Sequence, residues 1–201
     1  MSRGRLIALE GGEASGKSTQ AVRLADRLGA VLTREPGGTE VGERIRAVLL
    51  DPALAGLDAR AEALLMAAAR AEHVAGVIRP ALAAGRDVVS DRYAGSSLAY
   101  QGFGRGLAVD EVRWLSGWAT SGLWPDLTIL LDVPAEVARS RRGAPDRFEA
   151  EDDAFHDRVL VGFRKLAGAD PEAWVVLDGT GDVDTVAARA WTAVHERLGL
   201  G

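Results

Sequence analysis

Cysteine is absent from the 201 residues, which excludes a disulfide framework, a thiolate metal cluster and a cysteine nucleophile. Histidine is scarce: His73, His156 and His195 are the three, too scattered for a histidine-rich zinc site. No apolar run approaches the ~20 residues that a membrane helix needs. The amino-terminal MSRGRLIALEGG meets glycine and acid too soon to carry the core of a signal peptide. Positive charge is also in deficit. Twenty-four Lys and Arg stand against 29 Asp and Glu, a formal net charge of −5, so the chain as a whole attracts neither a nucleic-acid backbone nor an anionic membrane. Any phosphate it binds has to be held by local geometry. The expectation is a cytoplasmic protein with no membrane or nucleic-acid partner. What remains is ordinary globular composition, 47% hydrophobic and 26% charged, enough for one domain over residues 1–201 that hides roughly 70% of the surface its unfolded chain would expose.

Residues 5–9 form a short apolar run that stops at Glu10-Gly11-Gly12, and from Lys17 the apolar positions Ala21, Leu24, Ala25 and Leu28 recur at helical spacing. The order is strand, glycine-rich loop, helix, with the helix expected to end at Gly29. Four further strands are expected at residues 30–33, 87–90, 127–131 and 174–177. Helices are expected at 41–50, at 57–82 with a kink or break at Pro80, at 110–120, after Pro134, along Phe155, Val159, Phe163 and Leu166, and at 183–198. Five short strands alternating with helices imply an α/β fold, a mostly parallel sheet covered on both faces.

Residues 11–18, GGEASGKS, fit G-x-x-x-x-G-K-[ST] in full, and they sit where the mechanism of that motif requires, after a strand and at the start of a helix. Backbone N–H groups of Gly11, Gly12, Glu13, Ala14, Ser15, Gly16, Lys17, Ser18 and Thr19 can converge on phosphate oxygens at a helix N-terminus, while Lys17 neutralises terminal phosphates and the Ser18 hydroxyl can ligate magnesium. ATP with Mg2+ is the expected donor. Asp91-Arg92-Tyr93 follows the third strand, which places a carboxylate for Mg2+ beside the loop and an arginine at the sheet's carboxyl edge. Arg92 there can span two phosphates and stabilise transferring charge.

With LIALEGGEASGKSTQ at the start, TREPGGT at 33–39, DRYAGSSLAYQG at 91–102, PDLTILLDVP at 125–134 and DRFEAEDDAFHDRV at 146–159, the chain resembles the bacterial thymidylate kinases over nearly its whole length. The resemblance implies a three-layer P-loop kinase fold with a five-stranded parallel sheet and a short lid, here at about 139–150, and transfer of a phosphoryl group from ATP to dTMP to give dTDP and ADP. It implies that Glu13 orients a magnesium-linked network and the sugar 3′-OH, that Arg70 binds the thymine edge above Met66, and that Ser96, Ser97 and Gln101 complete the base pocket. It further implies that Tyr100 closes against the deoxyribose, that Glu35 and Pro36 form a wall, that Arg46 meets the acceptor phosphate, and that the chain forms a homodimer. Two positions depart from the family pattern: Met66 stands where phenylalanine is usual, and Ala14 stands where arginine or glycine is usual. With no loop arginine, transferring charge falls to the lid, Arg141 and Arg142 before Arg139 or Arg147. Glu149 is expected to pin the lid by an ion pair. The alternatives are a kinase for another pyrimidine deoxynucleoside monophosphate, and an ATP-binding switch that transfers nothing.

Overall fold

A computed structural model describes residues 3–140 and 146–199. Five strands, β1 (Leu6–Glu10), β2 (Val31–Arg34), β3 (Val88–Asp91), β4 (Leu127–Asp132) and β5 (Trp174–Asp178), form one sheet in the order β2-β3-β1-β4-β5, parallel at every pairing. The helices are α1 (Lys17–Leu28), α2 (Glu40–Leu50), α3 (Ala59–His73), α4 (Arg79–Ala83), α5 (Ala94–Ser97), α6 (Val109–Ala119), α7 (Ala135–Ser140), α8 (Asp153–Ala169) and α9 (Val183–Leu198). Each expected strand is found within a residue of its expected limits.

Side-chain alternation in the central strands builds the layers. Ile7 and Leu9 of β1, with Leu127, Ile129 and Leu131 of β4, face Ala21, Leu24 and Ala25 of α1 and Val186, Ala190 and Val194 of α9. Leu6 and Ala8 point the other way, to Val74, Ile78 and Leu82, while Leu130 meets Phe155, Val159 and Phe163 of α8. A strand buried on both faces has no polar side to spare, which is why LIAL and LTILL read as unbroken apolar runs. Thr39, Asp58, Asp152 and Asp182 cap α2, α3, α8 and α9 by accepting from backbone N–H groups of the first turn. Gly29, in the left-handed conformation, ends α1 where the sequence places its end.

Two segments are π-helical. The helix expected at 57–82 spans 59 to 83 in three pieces, α3, a π-helical segment, Val74–Ile78, in which the Arg79 N–H reaches the Val74 carbonyl, and α4, which starts beside Pro80. Pro80 then falls in the first turn of α4, where its missing N–H costs least. A second π-helical segment, Leu98–Gly104, continues α5. It packs hard on α8: a Cβ at Gly104 would lie 2.7 Å from the Phe155 ring. That packing holds Tyr100 and Gln101 over the carboxyl end of the sheet.

Candidate active site

Loops leaving β1, β2 and β3 at their carboxyl ends converge on one cleft, the place where open α/β sheets bind ligands. It holds two joined cavities. The larger, about 770 Å³, is lined by Glu13 to Ser18 and Thr19 together with Asp91, and the smaller, about 90 Å³, by Pro36, Met66, Arg70, Ser96, Ser97, Tyr100 and Gln101; Glu13, Glu35, Arg46, Arg92 and Asp146 border both.

The loop from β1 to α1 is set by backbone that tolerates few residues. Gly11 has φ 147°, and a Cβ there would come within 2.7 Å of the Leu131 carbonyl; Ala14 sits in the left-handed region at φ 54°. Gly11 and Gly12 stand just outside the cavity lining and turn carbonyls toward Arg92 and Lys17. The Lys17 ammonium folds back over the loop to donate to the Gly12 carbonyl at 2.6 Å and the Ser15 hydroxyl at 3.1 Å. Burial and the neighbouring Arg92 pull its pKa down to about 8, against the pull of Glu13 and Asp91.

Ser18 and Asp91 stand side by side: the Ser18 hydroxyl donates to Asp91 Oδ2, while Asp91 Oδ1 is buried with no partner. Two hard oxygen donors, one of them unsatisfied, suit Mg2+, which keeps most of its shell as water and substrate phosphate and needs only one or two protein oxygens. Among the described residues no cluster of three or more His, Cys, Asp or Glu offers an all-protein cage.

Between the cavities Arg92, Glu13 and Tyr100 form a hydrogen-bonded triad built on one ion pair. Arg92 donates to Glu13 Oε1 at 2.8 Å, to the Tyr100 hydroxyl at 3.2 Å, to the Gly11 carbonyl at 3.1 Å and to Ser96 Oγ at 3.0 Å, and Tyr100 in turn donates to Glu13. Burial opposes the charge on Glu13, but Arg92 and Lys17 outweigh it and hold the carboxyl down at about 2. Arg92 itself has φ 69°, a left-handed conformation that a non-glycine residue adopts only when its surroundings fix it. Its N–H donates to the Leu9 carbonyl and its carbonyl accepts from Ser90 Oγ, so β1 and β3 both clamp it.

In the smaller cavity Arg70 is almost wholly buried. Its guanidinium donates to Glu35 at 2.6 Å, to the Tyr93 carbonyl at 3.2 Å, to Ser97 Oγ at 3.0 Å and to Ser116 Oγ at 3.3 Å. Glu35 also meets His73, whose other ring nitrogen pairs with Thr33. Arg46 donates to the Pro36 carbonyl at 2.9 Å. The Tyr100 ring is wedged edge-on among Phe148, Phe155 and Phe163. Met66, half-buried, packs against the same cluster.

The residues singled out from sequence therefore gather in or beside one cleft, apart from Arg147 and apart from Arg141 and Arg142, which with the side chain of Arg139 lie outside the described residues. Arg147 lines neither cavity: it is buried, donating to Glu62 at 2.7 Å and to the Leu49 carbonyl at 2.7 Å. Sequence reasoning missed Glu10, which ends β1 wholly buried and accepts from the Tyr93 and Ser96 N–H groups and the Ser96 hydroxyl. Burial pushes its pKa up to about 7. Its only signal was a carboxylate one residue before the glycine loop, at the end of a core strand. Glu62 and His73 were missed as well.

Residues 9–190 match the family model described as thymidylate kinase. The chain is 49% identical to a thymidylate kinase of Deinococcus radiodurans over 98% of this chain and 99% of that one. It is 50% identical to one of a Synechococcus strain, over 96% of each chain. The crystal structure of thymidylate kinase from Ehrlichia chaffeensis superposes with a TM-score of 0.79 at 31% identity, covering 96% of this chain and 99% of that one.

Proposed function

Because the chain belongs to the thymidylate kinase family and so transfers the terminal phosphoryl group of ATP to dTMP, giving dTDP and ADP, we propose that the larger cavity takes ATP and the smaller one dTMP, with Arg92 between them. One observation carries this assignment: Glu13 and Arg92 border both cavities, so a phosphate entering from either side meets the same guanidinium.

The acceptor is already an anion at neutral pH, so the protein has no need of a dedicated general base; alignment and charge neutralisation supply the rate. Lys17 and the loop N–H groups draw the donor phosphates down onto the start of α1. Ser18 and Asp91 would hold Mg2+, which when bound neutralises and orients the donor phosphates. Arg92 exchanges its contacts with Glu13 and Tyr100 for the transferring group, whose charge is the stronger partner. Glu13, released from Arg92, is free to face the sugar 3′-OH, with the Tyr100 ring packed against the deoxyribose. Arg46 meets the acceptor phosphate, and Arg70, Ser96, Ser97 and Gln101 meet the base, with Met66 beneath it. A lid at about 139–150 brings Arg141 and Arg142 over the donor once both substrates are seated.

A homodimer fits the exposed apolar face of α3 and α6, where Leu64 is 58%, Trp114 69% and Trp118 72% exposed. Among the described residues no helix is long and apolar enough to cross a membrane, and the nucleotide substrates suit a cytoplasmic setting. The test of the site is a coupled assay with ATP, Mg2+ and a panel of nucleoside monophosphates. Turnover led by dTMP is expected, and turnover with no pyrimidine monophosphate would overturn the reading.

A further inference from the structure

We propose that Glu62, which lines neither cavity, decides which bases the acceptor pocket takes by fixing the orientation of the Gln101 side-chain amide; this rests on the reading of the smaller cavity as the dTMP site. Glu62 lies on α3 with no exposed surface. Its carboxylate accepts from Gln101 Nε2 at 2.9 Å, from Arg147 at 2.7 Å and from Arg105 at 3.1–3.2 Å. An ionised carboxylate between two guanidiniums can only accept. The Gln101 amide therefore has to turn its NH2 to Glu62 and its oxygen the other way.

That oxygen is the telling atom. Gln101 is fully buried and lines the smaller cavity, and its Oε1 has no hydrogen-bond partner. A buried acceptor left unpaired is unfavourable, and a donor on the ligand relieves it. Beside it, Arg70 has Nε and both Nη2 hydrogens engaged by Glu35, Tyr93 and Ser97, while Nη1 makes a single contact to Ser116 and keeps a second N–H. Gln101 and Arg70 both line the smaller cavity, so an unpaired acceptor and a donor with a spare N–H stand together in its wall. Thymine and uracil present the complement, a ring N–H beside a carbonyl. Cytosine presents the reverse, a bare ring nitrogen beside an amino group, and is mismatched at both points. A free glutamine would turn over to suit it; one tethered to a carboxylate cannot. Glu62 is thus a positioning residue for specificity, acting through Gln101.

Glu62→Gln replaces the obligate acceptor with an amide that can either donate or accept, which frees Gln101 to turn. The quantity to measure is kcat/KM for dTMP divided by that for dCMP. A site built to hydrogen-bond one edge discriminates by several orders of magnitude, and the ratio is expected to fall at least ~10-fold in the variant, through better use of dCMP. Loss of structure alone would lower both nucleotides together and leave the ratio in place. In a Gln101→Leu background the same substitution should change the ratio no further. If Glu62→Gln does not fold, as judged by its thermal melt, Glu62→Gln with Arg105→Gln keeps the local charge balanced and is held to the same ratio. An unchanged ratio in whichever variant folds overturns the proposal, whereas wild-type protein that fails to phosphorylate dTMP would overturn the acceptor-site reading instead.

Discussion

Lys17 pays for the compactness of its loop in basicity. With a pKa of about 8, part of the population is neutral under mildly alkaline conditions, yet phosphates prefer the ammonium. ATP binding should therefore be silent in protons near neutrality and take up a proton above about pH 8. Calorimetry in two buffers of different ionisation heat reads this directly, and zero uptake at about pH 8.5 would show that the lysine keeps its ordinary basicity. Lys17→Ala should cost ~10³-fold or more in turnover while dTMP binding changes little, measured by single-turnover transfer and equilibrium titration. At Tyr100 the ring and the hydroxyl separate. Tyr100→Phe leaves the ring among its three phenylalanines but breaks the bonds to Glu13 and Arg92. Turnover should drop by ~10-fold or more, as for a charge-assisted hydrogen bond, with the preference for deoxyribose over ribose kept; Tyr100→Ala should narrow that preference in a comparison of kcat/KM for the two sugars. The donor loop was legible because its chemistry lies in eight consecutive residues, and Arg70, Tyr100 and Gln101 were legible through the family resemblance. Glu10 and Glu62 were not. A carboxylate's burial depends on donors supplied by other elements, Tyr93 and Ser96 in one case, Gln101, Arg105 and Arg147 in the other, and spacing carries no trace of them.

Among the elements, the strands and the long helices followed from local signals of apolar spacing. LIAL, VVS and LTILL are apolar save for the buried Ser90 and Thr128, and the structure shows Asp58, Asp152 and Asp182 at helix starts, where a side-chain acceptor is worth most. Asp58→Ala should accordingly lower stability by ~1 kcal/mol, seen as a shift in the urea midpoint without change in slope. The π-helical segment Leu98–Gly104 had no such signal, since its glycines at 102 and 104 read as helix breakers. Gly104 is small because Phe155 and Val159 of α8 lie against it, and Gly102 faces Val109 at the start of α6. Gly104→Ala should cost ~1–3 kcal/mol by overpacking against Phe155 and Val159. It should also weaken dTMP use more than ATP binding, because the segment carries Tyr100 and Gln101; equal losses at both substrates in a folded variant would sever that link.

For the molecule as a whole, two buried carboxyls set opposite trends with pH. Glu10 is raised to about 7 from an ordinary 4.5, so between those values the folded chain holds a proton that the unfolded chain has released. Its contribution is complete below about pH 4.5 and is lost as pH rises toward 7. Glu13, held at about 2, contributes above about pH 4.5 and loses that contribution as pH falls toward 2. Urea unfolding of wild type and Glu10→Gln across about pH 5 to 8 should show a shallower decline in the variant, and parallel curves would contradict it. The apolar face of α3 and α6 makes a claim at the same scale. A species of twice the chain mass is expected in sedimentation, reduced to single chains by Trp118→Glu.

The middle strand of the sheet is the first one the ribosome makes. β1 lies between β3 and β4, whose registers begin at Val88 and Leu127, and part of the layer that covers it comes from α9 near the far end of the chain. For most of synthesis the phosphate loop emerges without a frame, and Asp91 follows its partner Ser18 by 73 residues. Nucleotide affinity is then acquired late and nearly all at once, as expected when contacts distant in sequence must close together. Nascent chains arrested before β4 should pass through immobilised ATP unretained, while released full-length chains bind. Retention of the shorter chains would mean that the loop takes shape on its own.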